Sequence, residues 1–342
     1  MDGASGSRGN TPHIVVAGAG SVGCFVGGML ARGAHHVTLL LRPRMAEELL
    51  RQGLNLTDFQ GLDEDLSPDL FALASDPACL EKADVILVTV KSGDTEEMGH
   101  LIRRHARKDT IVVSLQNGIG NAGVLKELLP DLDVRAGMVP FSVAAIEGGR
   151  FHRGTSGDIV IEKGPNHLAR HLSVQGLAFH ERKSMTELQW GKLIVNLNNA
   201  LIALSGLTLK EELNSMVWRR LMSDQIREAL RVLEAAGIRA VPPMSTRMPI
   251  RFLPKILRLP SPLFNRVARA MLTIDPHARS SMWDDLEMGR RTEVEELQGV
   301  IVELGNKEKI KTPINKRVAQ LVREVEAKEE RSPGLMAHEI RP

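Results

Sequence analysis

The stretch HIVVAGAGSVG, residues 13–23, decides how the first half of the chain is read. Its five opening residues are a run of mostly β-branched and apolar side chains. Gly18, Ala19, Gly20, Ser21, Val22 and Gly23 follow at once and open a helical pattern that runs to about Arg32. Glycine permits a tight turn and a close approach of backbone to a pyrophosphate, and a helix N-terminus offers free N–H groups to the anionic oxygens. Glycines at a strand–helix turn are also compatible with a structural role alone. Strand, glycine motif, helix and second strand, in that order within about 30 residues, favour a dinucleotide site formed by residues 18–23.

Around this motif, VTLLL (37–41), DVILVTV (84–90) and TIVVSL (110–115) alternate with helical patterns. Continuous apolar strands separated by helices are expected of a parallel sheet covered on both faces, so the first half reads as an α/β domain. The second strand ends in Leu40-Leu41-Arg42-Pro43-Arg44. An acidic residue there would bind the ribose 2′-hydroxyl of NAD. Arg42 instead suits the 2′-phosphate of NADP(H), the alternative being a solvated strand-end residue. Two further strand ends carry polar residues on the side where an open parallel sheet takes its ligand, Lys91 and Gln116-Asn117-Gly118. Lys91 and Asn117 are therefore candidates for the cofactor crevice, against a solvated lysine and a plain turn.

Beyond about Ser184 the strand-like runs give way to apolar residues at helical spacing. One helix is expected over TELQWGKLIVNLNNALIALSG (186–206), and a second from about Ser215 to Ala236, stopped by Gly237. Prolines punctuate Val241–Pro276 into short helices. Another long helix is expected from near Ser280 to about Asn306, and a last one over Pro313–Ala327. The expected organisation is a disordered leader (1–12), a dinucleotide-binding domain (13–184), an all-helical domain (185–327) and a loosely docked or disordered tail (328–342).

Composition narrows the function. The 342 residues are 43% apolar and 25% charged with a net charge of +2 and 3% aromatics, which supplies neither a basic excess nor a stacking platform for nucleic acid. Two cysteines, Cys24 and Cys79, make neither a disulfide framework nor a four-thiolate metal site, so no metal and a reducing, cytoplasmic setting are expected. The longest apolar candidate, Leu193–Leu209, is interrupted by Asn196, Asn198, Asn199, Ser205 and Gly206, and no membrane span is expected.

Lys192, Asn196 and Asn199 are spaced i, i+4, i+7, on one face of an otherwise apolar helix. Burying amides or an ammonium without a partner is costly. A ligand would satisfy them, as would bonds to neighbouring backbone or a lysine reaching out to water. In ketone reduction by hydride transfer, negative charge builds on the carbonyl oxygen, and an ammonium beside it stabilises that charge and donates the proton. Lys192 fits that role. Farther on, SSMWDDLEMGRRTE (280–293) opens another helix, where a serine is commonly an N-cap and Glu293 one acid among several.

Taken together and in order, Gly18–Gly23, Lys91, Gln116-Asn117-Gly118, Trp190 with Lys192 and Asn196, Ser280-Ser281-Met282 and Arg291-Thr292-Glu293 resemble the ketopantoate reductase (2-dehydropantoate 2-reductase) family over about His13 to Ala327. The resemblance implies an N-terminal Rossmann domain followed by an all-helical C-terminal domain that also dimerises, with NADPH and a 2-oxo acid between them. It implies Lys192 as general acid, Asn117, Asn196 and Ser281 as substrate ligands, and Glu293 bonded within the catalytic site. The reaction implied is NADPH-dependent reduction of ketopantoate to pantoate, a step of pantothenate and coenzyme A biosynthesis, in a homodimer. Ala200 and Lys210 stand where the resemblance leads one to expect asparagine. Reduction of another bulky 2-oxo acid and a non-catalytic NADP(H)-sensing regulator are the competing readings.

Overall fold

The computed structural model describes residues 11–243, 248–271 and 279–342, and side chains except those of 268–271. Residues 1–10 of the expected leader, and 244–247 and 272–276 of the proline-rich segment, lie outside the described residues.

The first domain holds twelve strands: β1 (His13–Ala17), β2 (His36–Leu40), β3 (Leu54–Asp58), β4 (Asp63–Leu66), β5 (Ala72–Ala74), β6 (Val85–Val88), β7 (Ile111–Ser114), β8 (Asp133–Met138), β9 (Val143–Ile146), β10 (Arg150–Arg153), β11 (Ile159–Glu162) and β12 (Phe179–Arg182). Its helices are α1 (Ser21–Arg32), α2 (Pro43–Gln52), α3 (Thr95–His105), α4 (Asn121–Leu128) and α5 (Leu168–Leu172). The main sheet runs β12-β11-β8-β7-β6-β1-β2-β5, parallel from β8 to β5, with β11 antiparallel to β8. Strand order reverses between β1 and β6, the place where such Rossmann-type sheets open a crevice at their carboxyl ends. Residues 14–17 and 85–88 are fully or nearly fully buried, as strands covered on both faces must be.

A second sheet, β4-β3-β10-β9, lies on the far side of α1, built from segments with no strand-like apolar run among those named above. It makes α1 an enclosed helix, buried continuously from Gly23 to Ala31. A Cβ on Gly28 would stand 2.8 Å from Leu54, and one on Gly27 2.4 Å from Leu39, so these glycines let both sheets close on the helix. The strands themselves are short and charged. Arg153 pairs with Asp58, its guanidinium near the rings of Phe25 and Phe141, and Arg32 pairs with Glu64.

The second domain is helical: α6 (Thr186–Asn196), α7 (Asn198–Ser205), α8 (Leu209–Asn214), α9 (Met216–Ala235), α10 (Leu253–Leu257), α11 (Ser261–Met271), α12 (Ser281–Glu287), α13 (Val300–Lys307), α14 (Pro313–Ala327) and α15 (Ala337–Ile340). Trp190, Leu197, Trp218, Leu286, Leu297 and Val322 belong to its core. No helix among the described residues is long and apolar enough to cross a membrane.

Three expectations are corrected. The helix expected over 186–206 is divided at Leu197 into α6 and α7, although Leu197 keeps helical backbone angles and its N–H bonds Leu193 O, and no glycine or proline marks the point. The helix expected over 280–306 stops at Glu287. Gly289 takes φ +61° and the chain folds back through Gly289 N–H to Leu286 O and Arg290 N–H to Asp285 O, a glycine-terminated helix end. The chain resumes at Val294 and passes through a π turn, Glu295–Gly299, into α13. The tail is docked, not loose: Ala337 and Ile340 join the helical core, Leu335 N–H bonds Leu204 O, and Arg341 pairs with Asp224.

Candidate active site

At the β1–α1 turn Gly18 adopts φ +82°, which glycine alone takes without strain, and its N–H bonds Leu40 O at 3.1 Å. A Cβ on Gly18 would lie 2.1 Å from Val90, and one on Gly23 2.5 Å from Thr89 Oγ1, whereas nothing stands within 4 Å of a Cβ on Gly20. The first and third glycines are thus needed for packing, and the second keeps a face open to an approaching ligand. No side chain caps α1, so the N–H groups of Ser21 and Val22 in its first turn are left to an anion. Arg42 precedes α2 with its side chain 87% exposed and only a 3.6 Å approach to Asp94. Its guanidinium is available.

The carboxyl ends of β6 and β7 are bonded to the helical domain. Lys91 Nζ lies 2.7 Å from Asp285 and donates to Arg291 O at 2.8 Å. Glu293, delivered by the break after α12, reaches the first domain: its Oε2 accepts from Asn117 Nδ2 at 3.2 Å, and its Oε1 from Ser92 Oγ at 3.3 Å. Asn121 Nδ2 donates to Ser92 Oγ and to Asn117 O, and Gln116 donates to Thr95, which extends the set into the sheet. Ser92, Asn121 and Asp285 had no mark in the sequence as site residues. A serine and an asparagine at strand–helix junctions are the only local signal, and Asp285 meets Lys91 from 194 positions away.

On α6, Lys192 is half-buried and Nζ donates to Pro140 O at 3.1 Å, across to the segment between β8 and β9. Loss of solvent lowers its pKa to about 8, since a dry setting disfavours the ammonium. Asn196 is buried at the end of α6, and its amide makes no hydrogen bond among the described residues. Asn199 lies on α7, where its backbone carbonyl accepts from Ser280 Oγ at 2.8 Å. Ser280 also accepts from Trp283 N–H as the N-cap of α12, which leaves exposed Ser281 as the free hydroxyl of the pair. Ala200 is in the helical core and Lys210 is exposed on α8, so neither replaces the asparagine expected there. Asp284, beside the Lys91 partner, is pushed up to about 6 by burial and by Asp285.

The candidates therefore fall into three groups. The glycine motif, with its open second glycine and uncapped helix start, and exposed Arg42 stand at the ends of β1 and β2. Asn117 and Glu293 meet across the domain boundary, and Lys91 is held there by Asp285. Lys192, Asn196 and Ser281 present an ammonium, an amide and a hydroxyl from the helical domain.

The arrangement has known relatives. The family models for ketopantoate reductase PanE/ApbA and for its C-terminal domain match residues 14–166 and 184–326. A 2-dehydropantoate 2-reductase of Halobacterium salinarum is 31% identical over 322 residues, 91% of this chain and 98% of that protein. Among solved structures, a PanE/ApbA family ketopantoate reductase from Ralstonia eutropha superposes with a TM-score of 0.77 at 30% identity, covering 93% of this chain and 99% of that one. A D-mandelate dehydrogenase, solved with NADH and anilino(oxo)acetate, shares the fold with a TM-score of 0.74 at 21% identity over 93% of this chain and 99% of that one.

Proposed function

The chain belongs to the ketopantoate reductase family, a family of oxidoreductases acting on CH–OH groups, and from this we propose that it reduces ketopantoate to pantoate with NADPH. The observation that carries the reading is Lys192, an ammonium with a pKa near 8 that extends from the helical domain to Pro140 of the first domain. NADPH, when bound, supplies the hydride to the 2-oxo carbon. The cradle of Gly18, Gly20 and Gly23 fits its pyrophosphate, and exposed Arg42 its 2′-phosphate.

As charge gathers on the carbonyl oxygen, the Lys192 ammonium stabilises it and gives up a proton, so the oxygen becomes the hydroxyl of the product. Near pH 7 most of Lys192 is still charged, yet its proton is far easier to release than that of a solvated lysine. The free amide of Asn196 and the free hydroxyl of Ser281 suit the substrate's oxygens. Glu293 holds Asn117 in place and ties the two halves of the site together. Because Ala200 and Lys210 add no amide, bulky 2-oxo acids without a tail hydroxyl belong beside ketopantoate in the test.

The experiment is NADPH oxidation followed by absorbance with a panel of 2-oxo acids. Turnover selective for ketopantoate is the expected result. Turnover of another acid instead moves the substrate, and tight NADPH binding with no turnover of any acid replaces the enzyme by a sensor.

A further inference from the structure

The carbonyl of Leu197, at the break between α6 and α7, accepts a 2.8 Å hydrogen bond from Nε2 of Gln298. Gln298 is fully buried and sits in the π turn, five residues beyond Glu293. A carbonyl only accepts, so the amide's N–H must face Leu197. The other end of the same amide, Oε1, is buried without a partner. Packing alone is better served by methionine, which fills similar space and strands no polar atom. The bond to Leu197 is what this side chain supplies.

What that bond joins is specific. On one side is the junction that terminates α6 directly after Asn196 and one turn beyond Lys192. On the other is the segment that carries Glu293 to Ser92 and Asn117. That segment is braced from α14 as well, by Glu326 accepting from Thr292 N–H at 2.7 Å and by Arg323 bonding both oxygens of Glu295. The α14 contacts fix it to that helix, and Gln298 ties it to the helix of Lys192. A π turn takes one more residue than an α turn, and so re-aims the side chains that follow it.

We propose that Gln298 is a positioning residue, setting the register of Lys192 and Asn196 on α6 against Glu293 so that general acid and substrate ligands converge on one carbonyl. It touches neither substrate nor cofactor. The kinetic part of this proposal rests on the 2-oxo acid reductase reading, whereas the bracket between the two segments does not.

The test uses the full chain with Gln298→Met, which removes the donor at similar volume, and Gln298→Glu, whose carboxylic acid donates to Leu197 O only while protonated. Gln298→Met should lower kcat/KM for the 2-oxo acid roughly tenfold, the worth of one buried hydrogen bond, and leave the Kd of NADPH within about twofold. Amide exchange should speed up roughly tenfold in 193–201 and in 294–299. Gln298→Glu should regain kcat/KM at low pH and lose it as pH rises, a limb additional to the fall near pH 8 that Lys192 gives wild type and Gln298→Met alike. Wild-type kcat/KM in Gln298→Met, parallel loss of NADPH affinity, or identical pH profiles for the two variants each overturn the proposal. If wild type turns over no 2-oxo acid, the functional reading fails and exchange decides: faster exchange in both segments of Gln298→Met supports the bracket, and unchanged exchange overturns it.

Discussion

Lys91 of the first domain and Asp285 of the second lie 2.7 Å apart, and the carboxylate is almost wholly buried while the ammonium keeps partial access to solvent. The aspartate also bonds Arg290, so two cations share one acid that burial alone would push toward its neutral form. Replacing Asp285 with asparagine should destabilise the protein by about 1–3 kcal/mol, because a buried partner is lost and Lys91 keeps only the carbonyl of Arg291. A double-mutant cycle with Lys91→Met, read by urea unfolding, should return a coupling of about 1 kcal/mol or more between the two. Additive effects would mean that the pair joins the domains in geometry only.

Arg42 has only a loose, exposed 3.6 Å pairing with Asp94 to give up when it meets a phosphate. Arg42→Ala should weaken NADPH binding by about 1.5–3 kcal/mol and leave NADH nearly unchanged, measured by fluorescence titration of both nucleotides. Equal losses would move the 2′-phosphate contact to the neighbouring Arg44.

Lys192→Ala should lower kcat by about 10²–10⁴-fold with NADPH affinity retained. The wild-type rate of reduction should fall as pH rises through about 8, since the proton donor is present below that value and lost above it. A flat profile between pH 7 and 9 would assign the proton to another group.

Asn196, with its amide unengaged, should read the tail hydroxyl of ketopantoate. A site that bonds a hydroxyl penalises the analogue lacking it, because its own buried group is then stranded. kcat/KM should drop steeply for 2-oxo-3,3-dimethylbutanoate in wild type, and the drop should shrink in Asn196→Ala. Equal use of both acids by wild type would show that no hydroxyl is read.

Glu212 is fully buried, accepts from Ser205 and Asn198, and is pushed up to about 8 by burial. Its ordinary value is 4.5, so between these two the folded chain holds a proton that the unfolded chain has released. Stability should therefore decline as pH rises from about 4.5 to about 8, by on the order of a few kcal/mol. Glu212→Gln should flatten that part of the curve in urea titrations at several pH values.

What was legible in the sequence was whatever local pattern dictates. The apolar strands β1, β2, β6 and β7, the glycine turn, and the ends of α9 and α14 follow from side-chain runs and from Gly237 and Pro313. The second sheet was not, because RFHR and DEDL have no apolar alternation and are held by pairs such as Arg153 with Asp58. Gly289 was a readable stop that the helical pattern on either side concealed. The division at Leu197 has no glycine or proline to announce it, and the side-chain bond its carbonyl accepts comes from Gln298, far along the chain. Asn117 and Glu293 were each nameable, yet their meeting depends on how two domains dock.

The main sheet draws every strand from residues before Lys183, whereas α15 packs on α9 and α14 and helps close the helical core. During synthesis the first domain thus has all its parts as soon as Arg182 has left the ribosome, and domains made first generally fold first. The helical domain waits for its far end. The glycine turn of residues 18–23 is then assembled before Lys192, Asn196 and Glu293 have a scaffold, and the finished first domain offers the surface on which Asp285 and Glu293 come to dock. A nascent chain halted between the two stages would be expected to hold nucleotide while lacking the residues that act on a substrate.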